Sequence, residues 1–121
     1  MDCLFCKIVA GEIPAKRVYQ DEHVIAFMDI NPQAPFHGLV IPRKHISTLD
    51  DATDADAEVL GHLNIAAAKI ARQEGFSSDG YRTVINCRDH GGQTVYHIHL
   101  HLLGGKAMGW PPYTDTLKTP L

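Results

Sequence analysis

The sequence predicts an α+β fold in which an antiparallel sheet of about five strands carries one long helix and a short N-terminal helix. Strand-like segments come in runs and are interrupted by a single long helical segment, an order typical of antiparallel sheets. The chain has 121 residues, of which 45% are hydrophobic. Both values are ordinary for one globular domain, so we expect a single domain over residues 1–121.

A short helix and three strands are predicted in the first part of the chain. Leu4–Val9 is an apolar stretch that predicts one or two helical turns. Arg17–Gln20 and His23–Asp29 are rich in β-favouring residues, and the two acidic residues between them predict a hairpin. Two prolines fix φ and remove backbone donors in residues 31–35, which predicts a loop. Gly38–Ile41 is the third predicted strand.

The long helix is the clearest element. Thr53 is a good cap for its first turn, and Asp54 and Asp56 suit the positive end of the helix dipole. Apolar residues then recur at helical spacing, at Val59, Leu60, Leu63, Ala67 and Ile70. Gly75 is suited to end the helix.

Two further strands, Tyr81–Cys87 and Val95–Leu103, are predicted on either side of a glycine turn at residues 88–93. Successive side chains of a strand point to opposite faces of the sheet. His97, His99 and His101 are therefore expected on one face, and the apolar residues that alternate with them are expected in the core.

Three histidines on one strand face indicate chemistry at phosphorus. Neutral imidazole is a good nucleophile near pH 7. Its attack on phosphorus would form a labile phosphohistidine-type intermediate, and neighbouring histidines would stabilise charge on the phosphate. A solvated polar strand face is one alternative. A metal site is another, but the strand rise separates His97 from His101 by about 13 Å, which is too far for one ion to use all three.

Composition excludes several other classes. The net charge of -3 offers no basic surface for nucleic acid. No apolar run is long enough to cross a membrane, and the first residues do not form a signal peptide. Three cysteines are too few, and odd in number, for a disulfide framework. These observations favour a cytoplasmic protein without nucleic-acid or membrane partners.

The pattern His-φ-His-φ-His-φ-φ over residues 97–103 resembles the signature of the histidine triad (HIT) family. The similarity extends over about Phe5 to Pro112, and in it the chain resembles the Hint branch of that family, the purine nucleoside phosphoramidases. Further segments that carry it are Asp29–His37, Leu39–Pro42, Gly91–His97, Leu103–Gly105 and Trp110–Pro112.

This resemblance implies roles for individual residues. His99 matches the nucleophile, His101 the histidine that contacts the phosphate, and His37 the upstream histidine that completes the catalytic group with His97. Asp29 matches the carboxylate that accepts hydrogen bonds from the ribose hydroxyls. The purine slot is matched by Phe5, Ile8, Phe27, Ile30 and Leu39. Phosphate and leaving-group contacts are matched by Asn86, Gln93 and Thr94, the last where many members have serine.

The implied activity is hydrolysis of nucleoside phosphoramidates of the adenylyl-amine type. Hydrolysis of dinucleoside polyphosphates and a regulatory nucleotide-binding role are the alternatives, and adenine and guanine stay equally open. The resemblance also implies a homodimer joined through the long helix and the Tyr81–Cys87 strand. In that family the C-termini reach toward the partner's active site, and because this chain has extra residues after Pro112, its tail is expected to line the leaving-group side differently.

Cys3 and Cys6 form a Cys-x-x-Cys pair, a spacing that suits tetrahedral zinc. His45 and His97 are candidates for the other two ligands, and the set is similar to the structural zinc site of many relatives, although other Hint proteins lack the cysteines. The alternatives are two inert buried cysteines, or a redox pair, which the absence of a preceding strand disfavours. We expect structural zinc and no cofactor for catalysis. His23, His62 and His90 are expected on the surface.

Overall fold

The computed structural model describes residues 3–112 and has the predicted α+β fold. The elements are helix α1 (Leu4–Val9), strands β1 (Arg17–Gln20), β2 (Val24–Met28) and β3 (Phe36–Pro42), helix α2 (Ala57–Gln73), strand β4 (Tyr81–Ile85), the one-turn helix α3 (Arg88–Gly91) and strand β5 (Leu100–Gly104). Within the described residues no helix is long and apolar enough to span a lipid bilayer. The expectation for the tail after Pro112 falls outside residues 3–112.

The five strands form one antiparallel sheet in the order β1-β2-β3-β5-β4. Leu39 of β3 lies opposite Phe27 of β2 on one side and His101 of β5 on the other. Directly opposed residues of neighbouring strands share a face of the sheet. The centre of this face therefore carries both apolar side chains and the third histidine of the triad.

The two faces of the sheet are covered by different helices. The face under α2 is closed by a purely hydrophobic cluster, and burial of apolar area at about 25 cal/mol per Å² makes it the main source of stability. Its members are Val24, Ala26, Val40, Leu63, Ala66, Ala67, Ile70, Ala71, Phe76, Leu100 and Leu102. The other face holds a smaller cluster under α1, made of Cys3, Phe5, Ile8, Ile25, Phe27, Leu39 and Ile41.

Helix α2 begins as its acidic first turn predicts, but in two steps. The backbone N–H of Thr53 donates to the carboxylate of Asp56 at 3.0 Å, and a 3-10 turn over Asp54–Asp56 precedes the α-helix proper. A hydrogen bond from Lys44, 2.7 Å away, lowers the pKa of Asp56. The helix ends at Gln73, and Gly75 then takes a φ of 84°, a conformation that glycine adopts without strain.

The sheet differs from the sequence prediction around the triad. The prediction that the last strand begins at Val95 is wrong, because β5 begins at Leu100. The backbone N–H of Ile98 donates instead to the carbonyl of Ile46, at 2.7 Å, in the loop after β3. His97 and His99 consequently lie just before the strand. In the same way β4 ends at Ile85, and the predicted glycine turn contains the short helix α3.

Candidate active site

Three histidines form a row on the face of the sheet that α1 covers in part. His37 comes from β3, His101 from β5, and His99 from the segment that leads into β5. The ring centroids of His37 and His101 are 5.2 Å apart, and those of His101 and His99 are 5.0 Å apart. His37 and His99 are buried, and His101 is half-buried. The structure thus brings three of the predicted catalytic residues together.

A backbone carbonyl determines where His99 carries its proton. Nδ1 of His99 lies 2.8 Å from the carbonyl oxygen of His97, and because a carbonyl can only accept, Nδ1 is the protonated nitrogen. Burial lowers the pKa of His99, so the ring stays neutral at pH 7. The Phe5 ring packs edge-on against it with 5.2 Å between centroids. Nε2 is left with a free lone pair, as a nucleophile requires.

A chain of hydrogen bonds orients the other two histidines of the row. The backbone N–H of Gln33 donates to Nδ1 of His37 at 3.0 Å, so His37 is protonated on Nε2. That nitrogen donates to Nδ1 of His101 at 2.9 Å and lies 3.4 Å from the Asp29 carboxylate. His101 in turn carries its proton on Nε2. A backbone amide therefore determines which nitrogen of His101 can donate to a bound group.

Burial keeps this pair neutral as well. It lowers the pKa of His101 to about 4, helped by the neighbouring His99 and His37 rings. Burial also lowers the pKa of His37, and the Asp29 carboxylate opposes that shift. At neutral pH the row consists of uncharged imidazoles, one with a free lone pair and one with an N–H. This arrangement suits attack on an electrophile whose oxygen atoms accept a hydrogen bond.

The predicted purine-slot residues divide into two groups. Phe5, Ile8, Phe27 and Leu39 belong to the buried cluster under α1. Ile30 instead is fully exposed in the loop after β2. The adjacent Asp29 accepts a hydrogen bond from the backbone N–H of Asn31 at 2.8 Å with one oxygen, and its other oxygen faces His37.

Gln93 braces the loop that leads to the triad. Its side-chain oxygen accepts from the backbone N–H of Arg88 at 2.8 Å, and its amide donates to the carbonyls of Ser47 at 2.7 Å and Val95 at 3.1 Å. Sequence reasoning missed this structural role, which shows only when Ser47 is brought close. Thr94 is exposed beside it, and Asn86 is half-buried just before α3.

Arg88 holds the same loop from outside. Its guanidinium lies 2.9 Å from the carboxylate of Asp50 and 3.5 Å from that of Asp51. Its φ is 59°, in the left-handed region that residues with a side chain rarely adopt. The ion pairs therefore accompany a conformation that is unfavourable for arginine.

The side chain of His97 lies with the cysteines and not in the histidine row. Its Nδ1 is 3.5 Å from Sγ of both Cys3 and Cys6, and 3.2 Å from Nδ1 of His45. Sγ of Cys6 is 3.3 Å from Nδ1 of His45. Nε2 of His97 donates to the carbonyl of Pro42 at 2.8 Å, which leaves Nδ1 unprotonated. The four residues that the sequence predicts as zinc ligands therefore lie next to one another.

The distances fit a tetrahedral zinc site. Zinc bonds of about 2.3 Å to sulfur and 2.0–2.1 Å to nitrogen place neighbouring sulfur and nitrogen ligands roughly 3.6 Å apart, and neighbouring nitrogens roughly 3.3 Å apart. The four distances just given are each within about 0.3 Å of these values. His97 is fully buried, and its bond to Pro42 is the type of outer contact that orients a ligating histidine.

The α+β sheet carries a row of three neutral histidines on one face, and comparison with known proteins identifies the family to which this fold and site belong. The sequence-family model of the HIT domain matches residues 10–108, and the chain therefore belongs to the HIT family. It is 52% identical to the purine nucleoside phosphoramidase of Escherichia coli K12 over 108 residues, which are 89% of this chain and 91% of the relative. It is also 52% identical to the 14 kDa zinc-binding protein of Zea mays over 111 residues, which are 90% and 86% of the two chains.

Solved structures of HIT family proteins have the same fold as this chain. A HIT family hydrolase from Legionella pneumophila Philadelphia 1 superposes with a TM-score of 0.90 at 57% identity, over 93% of this chain and 100% of that one. A histidine triad protein from Clostridium difficile superposes with a TM-score of 0.88 at 47% identity, over 90% and 95% of the two chains. The protein is therefore an enzyme, a HIT family hydrolase.

Proposed function

We propose that this enzyme hydrolyses purine nucleoside phosphoramidates through a covalent nucleotidyl-histidine on His99. The observation that carries the proposal is the lone pair on Nε2 of His99, which the hydrogen bond from Nδ1 to the His97 carbonyl leaves free. The name of the Escherichia coli relative supports the choice of substrate class.

The reaction has two displacements at phosphorus. Nε2 of His99 forms a bond to phosphorus while the bond from phosphorus to the amine nitrogen breaks, and the leaving nitrogen takes up a proton. Water then attacks the same phosphorus, the bond to Nε2 breaks, and the water loses a proton. The products are an amine and a nucleoside monophosphate, with His99 restored. Splitting one difficult step into two easier ones is the general benefit of covalent catalysis.

His101 and His37 serve both displacements. The N–H on Nε2 of His101 donates to a phosphate oxygen, whose negative charge grows as phosphorus is attacked. His37 holds His101 in the tautomer that has this N–H, through the 2.9 Å bond between the rings. Because both rings are neutral, this stabilisation comes from a positioned dipole and does not require a cation.

The remaining site residues recognise the nucleoside. The apolar slot for the purine is supplied by the buried Phe5, Ile8, Phe27 and Leu39 together with the exposed Ile30. Asp29 binds the ribose hydroxyls, which competes with its present contacts to Asn31 and His37. Asn86 and Thr94 contact the phosphate and leaving group from the loop that Gln93 braces.

Rapid-quench mass spectrometry with an adenosine phosphoramidate tests the covalent step. We expect a nucleotidyl adduct on the peptide that contains His99 before product release, and faster turnover of this substrate than of a dinucleoside polyphosphate. A reaction that inverts configuration at phosphorus would mean direct attack by water, since two displacements retain it. Preference for the dinucleoside polyphosphate would support the other substrate class.

We also propose that Cys3, Cys6, His45 and His97 hold a structural zinc ion. Four protein ligands close the coordination shell, so the ion would stabilise the fold and leave no position for substrate. It would tie α1 and the loop after β3 to the base of the triad segment. The match of the ligand distances to a tetrahedron supports this assignment, as does the name of the Zea mays relative.

A homodimer is the third part of the proposal. Strand β4 lies at one edge of the sheet, where its outer backbone groups are available for pairing. On α2, Ile65 is exposed although it is a large apolar residue. Joining two copies through these elements would extend the sheet and cover the isoleucine. Light scattering at low micromolar concentration should give twice the chain mass, and the mass of a single chain would contradict the dimer.

A further inference from the structure

Two histidines and a glutamate lie together on the surface between the β1–β2 hairpin and α2. His23 comes from the hairpin, and Glu58 and His62 come from the first half of the helix; one ligand atom of each lies within 4.8 Å of the others. None of them belongs to the active site or to the Cys–His site described above. We propose that these three residues, the hairpin–helix cluster, bind a divalent transition-metal ion such as Zn²⁺ or Ni²⁺.

The backbone positions of the three residues are fixed without any ion. The N–H of His23 donates to the Asp21 carboxylate at 2.8 Å, and its carbonyl accepts from the N–H of Arg43 at 3.0 Å. Glu58 and His62 are one helical turn apart, with 3.6 Å between Oε1 and Nε2. Residues at this spacing on a helix are neighbours on its surface. An ion would therefore order side chains on a backbone that is already in place.

The two imidazole rings must turn out of their stack to share an ion. They stack with 3.8 Å between centroids and 8° between planes. Ring lone pairs lie in the ring plane, so parallel rings do not aim at a single point. Both side chains are 34% exposed, which leaves room for rotation about the bond between Cβ and Cγ. Glu22, 3.3 Å from Nε2 of His23, offers a fourth ligand from the hairpin.

The donor set selects the kind of ion. Imidazole nitrogen suits zinc, nickel and copper, whereas magnesium and calcium prefer sites made only of oxygen. With two imidazoles and one or two carboxylates, the cluster favours the first group. Because it contains no sulfur and is open to solvent, we expect weaker binding than at the Cys–His site. The ion would link the hairpin to α2 and raise stability without entering the reaction.

Calorimetric titration with Ni²⁺ tests the proposal on four proteins: the wild type, His23→Gln, His62→Gln and the control His90→Gln, which changes an exposed histidine outside the cluster. We expect His23→Gln and His62→Gln each to bind one equivalent of Ni²⁺ fewer than the wild type, and His90→Gln to bind as much as the wild type. Comparing stoichiometries makes the result independent of what the Cys–His site holds. Equal stoichiometry in all four proteins would overturn the proposal.

A measurement on the wild type tests the site without depending on whether the variants fold. Paramagnetic Ni²⁺ should broaden amide signals of residues 21–24 and 57–63 in NMR spectra at the same equivalent that the variants lose. Broadening confined to other segments would overturn the assignment. Turnover of an adenosine phosphoramidate should be unchanged in His62→Gln, so failure of this site and failure of the proposed function remain distinguishable.

Discussion

Two histidines that are two residues apart in the chain, His97 and His99, lie in opposite chemical settings. Nε2 of His97 donates to the carbonyl of Pro42, so Nδ1 faces the two cysteines. Nδ1 of His99 donates to the carbonyl of His97, so Nε2 is free. Burial lowers the pKa of both rings. The two rings have the same charge state, and they differ in which nitrogen bonds to a backbone carbonyl; on this difference rest the proposed roles of His97 as a zinc ligand and His99 as the nucleophile.

The largest effect is expected when the free nitrogen of His99 is removed. His99→Ala should lower turnover on the order of 10⁶-fold, as in other enzymes that lose their nucleophile. Nucleotide binding should persist, because the apolar slot and Asp29 are unchanged. Steady-state kinetics and equilibrium nucleotide binding measure the two effects. If turnover stays near that of the wild type, His99 is not the nucleophile.

Removing zinc should affect the other member of the pair. Cys6→Ser should lose zinc and become less stable, since binding to the native state alone stabilises it by about 4 kcal/mol when free ligand is a thousandfold above Kd. Activity should fall only as far as the segment before β5 loosens. Elemental analysis and thermal melts with and without a chelator provide the measurements. Absence of near-stoichiometric zinc in the wild type would contradict the site.

Replacing His101 tests its proposed role as hydrogen-bond donor to the phosphate separately from the attack by His99. His101→Gln keeps an N–H donor but not the imidazole geometry, whereas His101→Ala removes the donor. Losing one such donor costs about 10²–10³-fold in kcat in enzymes where it has been tested, and we expect that loss for alanine and a smaller one for glutamine. Equal activity of alanine and wild type would show that His101 does not stabilise the phosphate.

Acid should lower the free energy of unfolding, in part because the pKa of His101 in the same row is lowered in the native protein. The pKa of His101 is about 4 in the fold, below its ordinary value of 6.5, in a site faced by His99, His37 and Asp29. Between about pH 6.5 and 4 the unfolded chain therefore binds a proton that the native protein does not, and the free energy of unfolding falls as pH falls. Urea unfolding should show a shallower fall in His101→Gln. An identical pH dependence would contradict the shifted pKa.

The fold class and the division of the triad segment were predictable from local patterns. Alternation along residues 97–103 was sufficient to separate the histidines from Ile98, Leu100 and Leu102, which are fully buried or nearly so. Alternation did not predict that the ladder starts only at Leu100. The reason is the bond from Ile98 to Ile46, a partner far away in the sequence.

Contacts between distant segments account for the other gaps. Gln93 was predicted to contact the substrate, but its amide also holds Ser47, which no local pattern places beside it. His23 and His62 were expected only to be on the surface, and their stacking depends on how the hairpin packs against α2. The roles of Ile30, Asn86 and Thr94 stay predictions, because they concern a substrate.

The tautomers of the site are set by main-chain groups, namely the amide of Gln33 and the carbonyls of Pro42 and His97. A main-chain group is retained when its side chain changes, apart from the amide that a substitution to proline removes. Evolutionary drift can therefore change the side chain at position 33 without altering the tautomers of His37 and His101, and the side chain at position 42 without altering that of His97. The tautomers of these histidines therefore depend on the path of the backbone, and they persist through most mutations that leave that path intact.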